Sequence, residues 1–128
     1  MREYLYSLYL KLLGTMNEPC CCDYYQLYNI PRTFTIARHQ YDVEICEFVR
    51  DDDGSYLYGY HSDVELTIRV ALRMKCGENI VSLTREQIKN SFWHEVFHAF
   101  NFYYNNRQDE SLAQTFANFM CEFELTRE

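Results

Sequence analysis

The sequence predicts an α+β domain: a block of strands followed by two long helices, with a further helix at the N-terminal end. Three observations predict it. The apolar period is helical at first, becomes alternating at Thr33, and returns to helical after Thr84. The strand-like runs follow one another without intervening helices, which favours α+β over alternating α/β. At 128 residues, 48% hydrophobic and 17% aromatic, the chain is long and apolar enough for one core and short for two, so residues 1–128 are expected to form a single domain.

Taken in order, MREYLYSLYLKLL places Leu5, Leu8 and Leu12, with Tyr9 and Leu13, at helical steps, and Gly14 and Pro19 close a helix over about 1–16. Glu3 and Lys11 interrupt its apolar character, so it reads as an amphipathic helix and neither as an export leader nor as a membrane span. A cytoplasmic location and reduced thiols at Cys20, Cys21, Cys22, Cys46, Cys76 and Cys121 are expected. CCCDYYQLYNIP, over 20–31, reads as a short helical turn or a loop. TFTIA and YDVEICEFV alternate as strands do, as do SYLYGYH and VELTIRVAL, the last with Val64, Leu66, Ile68 and Val70 on one face. DDDG is a turn between strands and lacks the spaced oxygen ligands of a calcium loop; GEN, at 77–79, turns the chain again before the next helix. The sheet is expected to be antiparallel, with a mixed sheet as the alternative.

Thr84-Arg85-Glu86-Gln87 has the form of a capping box and starts a helix predicted over 85–104. NNRQD breaks it, and a last helix is expected over about 109–124, with Leu112, Phe116, Phe119 and Phe123 at helical spacing. The net charge of −7 is spread along the chain without a basic block, which argues against nucleic acid as a partner. The expected partner is a peptide or another protein.

The first long helix carries SFWHEVFH. Residues four apart on a helix share a face, so His94 and His98 can reach one metal ion, and Glu95 lies close enough to act on a water beside it. The surrounding Phe92, Trp93, Val96, Phe97, Ala99 and Phe100 make this helix apolar nearly all round, where two imidazoles and a carboxylate are costly without a partner. Zinc, one ion, is the expected cofactor. No histidine follows His98: Asn101 and Tyr104 stand where a longer glycine- and histidine-bearing motif would continue. The third ligand is therefore expected to be a carboxylate of the next helix. Glu110 fits best, Asp109 is its nearest competitor, and Glu122 and Glu124 lie further along.

HEVFH followed by ESLAQTFA resembles the gluzincin metallopeptidases, more narrowly the small ImmA/IrrE-type and phage-type proteins, whose second motif is E-x-x-A-[N/D]-x-F-A. Glu110, Ala113, Phe116 and Ala117 match it, with Gln114 at the position of the Asn or Asp and Phe97 where a glycine is common. The resemblance covers about residues 33–120 and implies a minimal zincin-like fold and a zinc peptidase with Glu95 as general base. It also implies an extended substrate paired to an edge strand within VELTIRVAL, and a phage or mobile-element setting. No helix-turn-helix segment accompanies the motifs, so repressor cleavage is not implied. Gln114 and Asp109 are expected to orient the imidazoles. Tyr103, Tyr104, Arg107, Tyr60 and His61 are the expected donors to a developing oxyanion. The alternative reading is a zincin-like module that binds metal or a protein partner and cleaves nothing.

Overall fold

The computed structural model describes residues 21–104 and 108–127; the helix expected over 1–16, and Arg107, lie outside the described residues. Helix α1 (Cys21–Tyr28) precedes strands β1 (Thr33–Ile36), β2 (His39–Cys46), β3 (Val49–Arg50), β4 (Tyr56–Leu57), β5 (Gly59–Ser62), β6 (Thr67–Ala71), β7 (Arg73–Cys76) and β8 (Asn79–Ser82). The long helices α2 (Arg85–Tyr104) and α3 (Glu110–Leu125) follow. The class is α+β, as expected.

The main sheet has the order β1-β2-β6-β5 and is mixed: β2 runs parallel to β6, while the two outer pairings are antiparallel. The parallel step is possible because β3, β4 and β5 lie between its partners in sequence and bring the chain back to its starting end. Alternation on β2 sends Tyr41, Val43 and Ile45 into the core, where they meet Ile68 and Val70 of β6. Val64 is 93% exposed and Leu66 sits at φ 53, so the strand expected from Val64 begins only at Thr67. The turn reverses the chain before the strand starts, which the apolar spacing does not reveal. DDDG closes the β3–β4 hairpin, with the Asp51 carboxylate accepting from the backbone N–H of Asp53 and Ser55 at 3.1 and 3.0 Å. GEN closes a second hairpin, β7–β8, in which Gly77 takes φ 63 as the first turn residue. All four residues of β8 are exposed, so no buried face marked it in the sequence.

Helix α2 begins at the expected capping box: Gln87 N–H donates to Thr84 Oγ1 at 3.1 Å and Thr84 N–H to Gln87 Oε1 at 2.8 Å. It lies across β6, β5 and β1 and buries Ile88, Phe92 and Ala99 in the core. Helix α3 returns against α2, and its fully buried residues are Ala113 and Ala117, at 0% exposure. Of the four large apolar residues at helical spacing, Phe116 packs against Trp93 and Phe97, while Leu112, Phe119 and Phe123 are exposed. Small side chains allow the close approach that the polar residues beside them need to reach across. Among the described residues, no helix is long and apolar enough to cross a membrane.

Candidate metal centre

The helical repeat places Asn90, His94 and His98 in one column on α2, and Glu110, Gln114 and Asn118 in one column on α3. Because the helices run antiparallel, the columns face each other. His94 Nε2 lies 2.9 Å from Glu110 Oε1, and His98 Nε2 lies 2.9 Å from Glu110 Oε2. One ligand atom from each of the three residues lies within 4.8 Å of the others. The far side of each ring is occupied as well: His94 Nδ1 is 3.1 Å from Gln114 Oε1, and His98 Nδ1 is 2.5 Å from Gln108 Oε1. An amide oxygen can only accept, so each Nδ1 is set to donate, and a neutral ring with its proton there would present the Nε2 lone pair to an ion bound beside Glu110. Two imidazoles and one carboxylate converging on a point fit a divalent cation of zinc type. Burial raises the pKa of the Glu110 carboxyl, but where no ion lies between them the hydrogen bonds and charges of His94 and His98 together outweigh it and hold the carboxyl below its ordinary value.

Glu95, the next residue after His94, turns toward the sheet and is 9% exposed. Burial raises its pKa to about 7, against the pull of His94 and His98. It lies close against β5: a Cβ on Gly59 would stand 3.0 Å from Glu95 Cγ and 3.1 Å from its Oε2, so Glu95 would have to give by a few tenths of an ångström. On one side of Glu95 a groove of about 510 Å³ runs past Gly59 and Tyr58 toward Asn90 and Glu86. On the other, a cavity of about 230 Å³ is lined by Tyr60, His61, His98, Gln108 and Glu110.

His61 stacks on His98, with ring centroids 5.7 Å apart, and its Nδ1 is 3.8 Å from Glu95 Oε1. Its Nε2 is 3.1 Å from Asp63 Oδ1. Burial lowers its pKa, opposed by the Asp63 charge. Behind it, the Tyr41 hydroxyl lies 3.3 Å from both Asp63 Oδ1 and the Tyr103 hydroxyl.

Of the expected site residues, His94, His98, Glu110, Glu95, Gln114, His61 and Tyr60 are thus assembled around one point. Three others are placed elsewhere. Asp109 is the N-cap of α3, accepting from Leu112 N–H at 3.0 Å, and that use keeps it off the imidazoles. Tyr104 is 60% exposed and packs its ring, tilted by 38°, against Phe100; six residues beyond His98 amounts to a rotation of about 240° round the helix, away from the site. Tyr103 stacks on His39 and reaches the site only through Tyr41 and Asp63. The edge expected within VELTIRVAL is interior, since β6 is flanked by β2 and β5; the strand at the sheet margin beside Glu95 is β5. Gln108 was missed. Its Nε2 donates to the His98 carbonyl at 3.1 Å while its oxygen holds the ring, and its only sequence signal is an amide two residues before the ligand carboxylate.

No protein-family model, curated protein or solved structure matches this chain.

Proposed function

We propose that this chain is a zinc-dependent peptidase of gluzincin type, similar to the small ImmA/IrrE-type and phage-type enzymes, acting on peptides or proteins in a cytosol. The supporting observation is the convergence of His94, His98 and Glu110 with a buried Glu95 beside them, facing a groove along a marginal strand. Zinc bound by the three ligands supplies a Lewis acid that acidifies water and polarises a carbonyl.

The chain's own residues do the rest. Glu95, with a pKa near 7, takes a proton from the attacking water and returns it to the leaving amine. Strand β5 offers its outer backbone groups to an extended peptide, and Gly59 lets Glu95 lie close against that strand. Asp63 holds the Nε2–H of His61, so in the neutral ring Nδ1 is an acceptor turned toward Glu95. Tyr60, lining the smaller cavity, is the oxyanion donor that needs no prior charging.

The test is the metal content of the purified chain beside Glu110→Ala, and hydrolysis of unstructured peptides by wild type beside Glu95→Gln. The expected result is about one zinc per wild-type chain, strongly reduced by Glu110→Ala, with Glu95→Gln keeping the metal and losing hydrolysis. A folded chain that takes no zinc when offered it sinks the reading. Zinc held without hydrolysis of any peptide would instead make it a metal-binding module.

A further inference from the structure

Beyond the ligands, the two facing columns of α2 and α3 continue as a chain of amides. Gln114 Nε2 donates to Asn90 Oδ1 at 2.8 Å and to Asn118 Oδ1 at 3.0 Å. Asn90 Nδ2 donates to Asn118 Oδ1 at 2.8 Å. Both protons of the Gln114 amide are therefore committed on the side away from His94, and its oxygen is the group left to face Nδ1 at 3.1 Å. Turning Gln114 alone would set its oxygen against two other carbonyl oxygens and its NH₂ against the ring. The second arrangement lets Nδ1 accept and puts the ring proton on Nε2, where it closes the position turned toward Glu110.

We infer that Asn90 and Asn118 are positioning residues for the His94 ligand, holding the Gln114 amide in the one sense that leaves His94 Nε2 free to bind a metal ion. The inference rests on the metal-centre part of the proposal above and is independent of whether the chain cleaves peptides. Neither asparagine is among the three candidate ligands, and Asn118 lies eight residues beyond Glu110 on α3. His98 obtains the same orientation by a shorter route, since Gln108 is held by the His98 carbonyl itself. One ligand is thus set locally, and the other by side chains that span both helices. Metal affinity then depends on the helix pair staying in register.

The test is zinc affinity, by competition with a chromophoric chelator, for the full chain, Asn118→Leu, Gln114→Leu and the double variant, with Thr115→Ala as a control on the exposed face of α3. Asn118→Leu is expected to weaken zinc about tenfold, a size typical of groups that orient a ligand. In the Gln114→Leu background it should add almost nothing, because its effect passes through Gln114. Nitrogen-15 spectra of the zinc-loaded chain should show His94 protonated at Nδ1, with that proton exchanging faster with water in Asn118→Leu. Equal weakening by Asn118→Leu with and without Gln114, no weakening at all, or an unchanged Nδ1 proton would overturn the inference while leaving the metal centre standing. A wild-type chain that binds no zinc removes both, because His94 would have no ion to be positioned for.

Discussion

Two carboxylates of α3 reach across to α2, one at each end of the helix pair, and their surroundings are opposite. Glu124, at the far end, meets donors: Lys89 Nζ at 2.8 Å and Trp93 Nε1 at 2.9 Å. Lys89 is 5% exposed and also bonds the carbonyl of Asn29 at 3.1 Å, so this end ties both long helices to the residue just after α1. Its charges and hydrogen bonds are balanced by the protein alone. Glu110, at the near end, is 78% exposed and meets two imidazole nitrogens whose other faces are already held by amide oxygens. With a lone pair on each Nε2, every atom turned to the centre is an acceptor, the set that suits a cation. A carboxylate between helices is thus a structural tie where donors surround it and, on the reading proposed above, a ligand where acceptors do.

The sharpest way to break that contrast is to remove each carboxylate in turn. Glu110→Ala should lower zinc affinity by at least about 100-fold, more than loss of a residue that only orients a ligand, and leave metal-free stability nearly unchanged. Glu124→Ala should do the reverse: about 3 kcal/mol less stability in urea unfolding, because a buried Lys89 loses its partner, with zinc affinity within a few-fold of wild type. A large stability loss from Glu110→Ala would abolish the distinction.

A third carboxylate, Glu95, shares neither fate, since it is buried without a strong donor and kept beside β5 by Gly59. Gly59→Ala should displace it by a few tenths of an ångström or more. Hydrolysis is expected to fall by up to about 100-fold with bound zinc unchanged; loss of zinc along with activity would show that Gly59 supports the whole site.

The smallest effect concerns stability without metal. Glu95 has its pKa raised to about 7 in the folded chain, so burial favours the protonated form. That stability is fully present below the ordinary glutamate value and declines as pH rises to about 7, where the folded chain must also ionise it. Under chelation, Glu95→Gln should therefore be about 2 kcal/mol more stable than wild type at pH 8 and little different at pH 4. Parallel pH profiles of the two chains would count against a buried, ionisable Glu95.

Much of this site was legible in sequence. The His94–His98 spacing, the adjacent Glu95, Glu110 and the Gln114 one turn beyond it are all helix arithmetic, and the structure assembles them as the spacing requires. Gln108 was not legible, because it lies in the connection between the helices, where no period constrains side-chain direction. The roles of Asp109 and Tyr104 went unread for a related reason. Proximity in sequence to a ligand says little once the first becomes a helix cap and the second points round the far side of its helix.

By itself the sequence determined the α+β class, the bounds of α2, the hairpin turn at DDDG, and the stripe of candidate metal ligands. Each depends on contacts within a few residues along the chain, where spacing is geometry. Tertiary structure alone decided that β2 and β6 pair in parallel and that the strand beside Glu95 is β5. It also decided that Asn90 and Asn118 close a chain of amides behind His94, and that Glu124 meets Lys89 and Trp93 while Glu110 meets His94 and His98. These depend on which groups from distant positions surround a side chain, and a carboxylate's role follows from its neighbours more than from its place in the chain.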